Sequence, residues 1–264
     1  MKKLFLLAAS AVALLAQAQT KEGRIVYERT VQMPTRNFGN LPPDVQAQMP
    51  KSRTMQYELL FTPEHSLWQF LPNAANDDQN TFAGGGMVIR MAGGAGEATY
   101  VDYAKGSRID QREMFEKSFV VTDTVTKLQW RLSEETKPIL NFTARKATGT
   151  SVVTRQRRSM ENGEFKVETV TDTLPVVAWY TTEIPVPAGP DFQGQLPGLI
   201  LELDVNKGQN ITRAIEFSPK VSAGKIKEPS EGKRLTAAEF SKERDKMMEE
   251  MRKNMPRGNV IRMN

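Results

Sequence analysis

Residues 199–217 read LILELDVNKGQNITRAIEF. Leu199, Leu201, Leu203 and Val205 recur at every second position, and Ile215 and Phe217 resume that period beyond Asn206-Lys207-Gly208. Successive side chains of a β-strand point to opposite faces, so a period of two marks a strand buried on one face. A link as short as Asn-Lys-Gly makes the two strands antiparallel neighbours.

The same period runs outward in both directions. Ile25, Tyr27 and Val31 share a face in GRIVYERTV, as do Met55, Tyr57, Leu59 and Phe61 in MQYELLF. Leu128, Trp130 and Leu132 in KLQWRL, with Phe165 and Val167 in EFKVETV, give further expected strands. Turn signals stand between them at Thr62-Pro63-Glu64-His65, Ala104-Lys105-Gly106 and Glu161-Asn162-Gly163. Sequence neighbours are then expected as sheet neighbours. The fold expected is mainly β: one large curved antiparallel sheet, a half-barrel or open barrel, with a β-sandwich as the alternative.

Two stretches break the pattern. Residues 32–54, with Pro34, Pro42, Pro43 and Pro50, read as an excursion holding one short helical turn, and residues 73–97, polar and then glycine-rich, read as a flexible surface loop. Thr236-Ala237-Ala238-Glu239 has capping-box spacing and starts an expected helix over Ala237 to Asn254, stopped before Pro256. Phe240, Met247, Met248 and Met251 are its apolar residues. This divides the chain into an antiparallel β domain over 19–235, a C-terminal helical segment over 236–255 and a tail over 256–264.

The N-terminus carries Lys2 and Lys3, an apolar run from Leu4 to Leu15, and Ala16-Gln17-Ala18, the layout of a secretory signal peptide over residues 1–18. Cleavage before Gln19 is expected, and no later segment is apolar enough for a membrane helix. The +5 formal charge falls to +3 without the two lysines, 34 basic against 31 acidic side chains. With export, that modest charge sets nucleic acid aside as a partner. Zero cysteines exclude disulfides, so a hydrophobic core must supply stability. The periplasm is favoured over the exterior.

His65 is the single histidine, in an expected turn, and Gly-x-Ser-x-Gly is missing. One histidine and no cysteine leave no thiolate or paired-histidine metal motif. Met247, Met251 and Met255 lie at helical spacing, which suits either soft-metal ligation or an adaptable apolar face, the commoner use. No catalytic residue, metal ligand or cofactor is assigned. The expected function is a non-enzymatic exported protein of the cell envelope that binds a small ligand or an envelope protein; a hydrolase built from scattered carboxylates and serines, and a methionine-based metal-handling protein, are the alternatives.

The stretch from Pro175 to Leu199 is denser in signals. Pro175, Pro185, Pro187, Pro190 and Pro197 stiffen it, and each lacks an amide donor, so a central strand is not expected there. Leu196-Pro197-Gly198-Leu199 fits a type II turn, with glycine supplying the positive φ. Trp179, Tyr180 and Phe192 are the candidate binding residues, either lining a groove or plugging the sheet end.

Ala178-Trp179-Tyr180-Thr181, Ile184-Pro185, Gly189-Pro190 and Leu196-Pro197-Gly198-Leu199-Ile200 together resemble the signature block of the GLPGLI family, exported proteins of Gram-negative bacteria. Gly23-x-Ile25-x-Tyr27, Trp130 followed by Phe142 and Lys146-Ala147, and Thr236-x-x-Glu239-Phe240 extend the resemblance over most of the chain. Gln195 departs from it where the motif's first glycine would stand, and Ala144 where many members carry cysteine. The resemblance implies export and a β-rich fold, and no activity.

Overall fold

A computed structural model describes residues 20–33, 51–72, 81–84, 87–90, 96–161 and 164–254. The expected signal peptide, residues 34–50 of the excursion expected over 32–54, and the tail from 256 lie outside the described residues. The strands are β1 (Gly23–Gln32), β2 (Ser52–Phe61), β3 (His65–Phe70), β4 (Thr81–Gly84), β5 (Met87–Arg90), β6 (Ala98–Asp102), β7 (Ser107–Met114), β8 (Lys117–Thr124), β9 (Arg131–Ile139), β10 (Phe142–Glu161), β11 (Glu164–Thr181), β12 (Leu199–Val205), β13 (Asn210–Ser218) and β14 (Lys233–Thr236). A helix, α1 (Ala237–Asn254), follows.

Twelve strands form one sheet in the order β14-β8-β7-β6-β3-β2-β1-β13-β12-β11-β10-β9, not closed into a barrel, while β4 and β5 pair apart from it. The stretch expected as a loop therefore contains a hairpin. All pairings in the large sheet are antiparallel except β14 with β8, which is parallel because the chain returns to that edge after β13.

Strand order requires the curvature. β8 and β9 follow one another in sequence but stand ten positions apart in the sheet, which in a flat sheet would separate them by ~48 Å. Only residues 125–130 join them, and seven extended residue steps reach at most ~25 Å. The sheet must curl until its two ends approach. The strand expected in KLQWRL consequently begins only at Arg131; Leu128 and Trp130 pack against a core cluster as part of the crossing link.

Pro175 corrects a second expectation, since it lies inside β11. Its carbonyl accepts from the Asn206 amide at 2.9 Å, so its nitrogen faces the turn where β12 has already ended, and no ladder bond is lost. Pro138 sits on the edge strand β9, the other place a sheet tolerates proline.

Helix α1 is capped as its spacing predicts: the Thr236 amide donates to the Glu239 carboxylate at 2.8 Å and the Glu239 amide to the Thr236 hydroxyl at 3.3 Å. Phe240 and Met247 bury against Phe119 and Val121, whereas Met248 is exposed. No helix among the described residues is long and apolar enough to cross a membrane.

Candidate functional site

The proline-rich segment between β11 and β12 folds back onto the sheet. Ile184, Val186 and Ala188 are fully buried beside Ile25, Tyr27, Leu59, Phe61 and Trp68. The Tyr27 hydroxyl donates to the Ile200 carbonyl at 2.6 Å, joining the β1 motif to the Leu196–Ile200 motif. Gly189, at φ +151°, has no room for a side chain, because a Cβ would lie 2.5 Å from that of Ile200.

Gly198 differs from expectation. It does not adopt a left-handed conformation; a Cβ there would collide with the backbone carbonyl of Thr181, so glycine serves close approach rather than turn geometry. The positive-φ residues of the segment are Gly189, Asp191 (φ +55°) and Gly194 (φ +78°). Gln195, standing in place of a glycine, accepts from the Leu128 amide at 2.8 Å and the Trp130 indole at 3.1 Å and donates to the Thr126 carbonyl at 3.0 Å. Its side chain fastens the link that crosses the open side of the sheet.

Of the three expected binding residues, Tyr180 and Phe192 meet in one hydrophobic cluster and Trp179 stands apart. Tyr180 is buried with Ala147, Ala178 and Leu203, and Phe192 packs edge-on against Trp130 at 5.7 Å. Trp179 packs against the other cluster. The Lys137 ammonium lies 4.3 Å from its ring centre and that of Lys146 6.0 Å, with Lys137 bound to Glu202 at 2.6 Å and Lys146 to Glu135 at 2.9 Å. A charged cluster that the sequence did not announce thus surrounds Trp179.

A different site emerges from cross-strand register. Phe217, Ile25, Leu59, Trp68, Thr99, Asp110, Val121 and Leu235 form one row across eight strands, each directly opposite the next. Directly opposed residues share a face. At one end the row lies under the proline segment and at the other under α1. Between the covers, on β6 and β7, it turns polar.

Arg108 and Arg112 flank Asp110 on the same face of β7. The Arg108 Nε donates to the Asp110 carboxylate at 3.0 and 3.1 Å, Arg112 at 3.3 Å and the Thr99 hydroxyl at 2.6 Å. Asp110 is 7% exposed while Arg108 and Arg112 are 32% and 47% exposed. Removing a carboxylate from water costs several kcal/mol unless charges and donors replace the water, and here three groups do so. The Arg112 guanidinium lies 5.7 Å from the Phe240 ring centre, which ties this polar strip to α1.

Arg29 closes the opposite side. Its guanidinium lies 5.0 Å from the Tyr57 ring centre and 5.3 Å from that of Trp68. Nε donates to the Thr212 hydroxyl at 2.9 Å and Nη2 to both Asp191 oxygens at 2.8 and 2.9 Å. Burial alone would lower its pKa; Asp191 more than offsets this and raises it, and the charge of Glu97 adds to the effect. The Tyr57 hydroxyl is pushed up chiefly by burial. Arg29 is 15% exposed and Asp191 36%, so on this side the carboxylate faces water.

Sequence reasoning missed this strip, although one signal was present. Arg29 occupies the inward parity of Ile25, Tyr27 and Val31, a position where a solvated strand would keep an apolar residue. His65 begins β3 rather than lying in a turn, and is oriented: its Nδ1 is 3.0 Å from the Tyr100 hydroxyl, and the rings stack at 5.5 Å. Asp102, 4.0 Å from His65, is held below its usual pKa by the Lys105 amide and ammonium and serves the β6–β7 turn. No group of three or more potential metal-ligating side chains occurs among the described residues.

No curated protein sequence matches the chain. Among solved structures, two crystal forms of PNGF-II are 13% and 12% identical with TM-scores of 0.47 and 0.48, each match covering 84% of this chain and 32% of that one. The chain therefore spans about a third of the PNGF-II chain. LprF from Mycobacterium bovis is 10% identical with a TM-score of 0.29, covering 81% of this chain and 92% of its own. Neither likeness bears on what this chain does. A family model described as a protein of unknown function, Porph_ging, matches residues 130–202, the stretch that holds the crossing-link tryptophan, β9 to β11 and the proline-aromatic block, and over those residues the chain is similar to that family.

Proposed function

We propose that this chain is an exported protein of the cell envelope that binds a ligand or partner without catalysis, using the polar strip between the proline segment and α1. The observation that supports it is the change of character within one cross-strand row, apolar under both covers and polar between them, where Asp110 is buried beneath two partly exposed arginines. A face that merely meets solvent leaves its carboxylates hydrated. Burying one under Arg108 and Arg112 fixes the guanidinium groups in place before any ligand arrives, which lowers the entropy cost of binding. The proline segment contributes by carrying Asp191 to the rim.

Native mass spectrometry of the protein taken from its host's envelope fraction tests the reading. Wild type should begin at Gln19 and carry a reproducible added mass, and a Glu97→Gln/Arg112→Gln variant should return the bare chain. An added mass equal in both proteins, or found in neither, refutes the strip as the binding surface; a chain retaining Met1 refutes export by signal cleavage.

A further inference from the structure

Resting on the polar strip as the binding surface, we infer that its ligand is a neutral polyhydroxylated molecule, an oligosaccharide. β6 and β7 lie inside the sheet, paired on both sides by β3 and β8 and by each other. Their backbone donors and acceptors are consumed, so an extended peptide finds no edge to join and recognition falls to side chains.

Those side chains carry both signs of charge. Arg29, Arg53, Arg108 and Arg112 stand with Glu97, Asp110 and Asp191, and water meets both signs, since Arg108, Arg112, Asp191 and Glu97 are all partly or fully exposed. A polyanion would meet the two carboxylates and a polycation the two guanidinium groups. A hydroxyl has no such conflict, because it donates to a carboxylate and accepts from a guanidinium at the same oxygen. Along β7 Arg108 and Arg112 stand four positions apart, ~13 Å along the strand, a spacing that sets two donors along an extended chain of sugar rings. The half-buried ring of Phe70, edge-on to Tyr57 at 5.7 Å at the end of β3, offers an apolar surface against which a pyranose face can rest.

The test is calorimetric titration of the full mature chain with maltohexaose, cellohexaose and chitohexaose, and with a sulfated heparin hexasaccharide as the charged comparison. The expected result is binding of a neutral probe that weakens at least about tenfold in both Arg112→Gln and the near-isosteric Glu97→Gln, is unchanged in Trp179→Ala, and varies little between ~50 and ~300 mM salt. Binding of the heparin probe alone, with steep salt dependence, overturns the ligand class while leaving the strip in place. A neutral probe whose affinity ignores both substitutions overturns the strip and with it the preceding proposal. No binding of any neutral probe at millimolar concentration by folded protein also overturns the ligand class.

Discussion

Replacing Gln195 by alanine should uncouple the crossing link from the proline segment. Three hydrogen bonds are lost, to the Leu128 amide, the Trp130 indole and the Thr126 carbonyl. The Thr126 carbonyl is exposed and water replaces its partner at little cost. The two N–H donors are partly buried, and each stranded donor costs about 1 kcal/mol, for a total of about 2 kcal/mol. For a domain of this size that corresponds to a fall of about 4–8 °C in Tm. Gln195→Glu retains the acceptor for both N–H donors but sets a carboxylate oxygen against the Thr126 carbonyl, so its loss should fall between that of Gln195→Ala and wild type. Trp130→Phe removes one of the donors, so combining it with Gln195→Ala should recover about 0.5–1 kcal/mol relative to additivity. Urea unfolding followed by circular dichroism measures wild type and the four variants at comparable slope. A Gln195→Ala chain within about 0.5 kcal/mol of wild type, or a glutamate variant as damaged as the alanine one, would refute the fastening role.

Gly198→Ala should destabilise by about 2–4 kcal/mol, because the neighbour is the Thr181 backbone rather than a movable side chain; Gly198→Asn should be worse, whereas a less damaging asparagine would restore the positive-φ explanation. Glu202 is pushed up by burial but held below its usual pKa overall by Lys137 and Arg213. Its contribution is therefore full above the unfolded value of ~4.3 and lost as pH falls through the lower folded value, so Glu202→Gln should cost about 1 kcal/mol at neutral pH, with the gap closing in acid; a gap constant across pH in urea titrations would contradict this. Trp179→Ala should cost about 2–4 kcal/mol through lost packing and the facing ammonium groups, measured by thermal melts, and an unchanged Tm would place the indole outside the stabilising core. Thr236→Ala should cost about 1 kcal/mol by removing the α1 cap, read as lost helical signal on urea titration; no loss would show that tertiary packing alone holds the helix.

The candidate site was less legible than the fold because its information is divided among distant strands. Asp110 looks like any solvated residue in SRIDQREM. It becomes a buried carboxylate only once β6, β8 and α1 are set around it. Trp179 and Tyr180 are adjacent in sequence yet pack into different clusters, since successive strand residues face opposite ways, while Phe192 reaches the Tyr180 cluster from a segment that turns back onto the sheet. Gly198 was read through turn chemistry, when the constraint is a backbone seventeen residues earlier brought into contact by the fold-back.

The sequence by itself determined what depends on local periodicity: the mainly β class, the ladder residues of β1, β2 and β12, and the capped helix from Ala237 to Asn254. Hydrophobic alternation and capping hydrogen bonds act within a few residues, so they can be read along the chain. Only the tertiary structure decided the strand order, the six-residue link across the curled sheet and the meeting of Arg29 with Asp191. Those contacts join residues far apart in sequence, and their energies arise from burial and pairing that exist only when the whole sheet has curled around them.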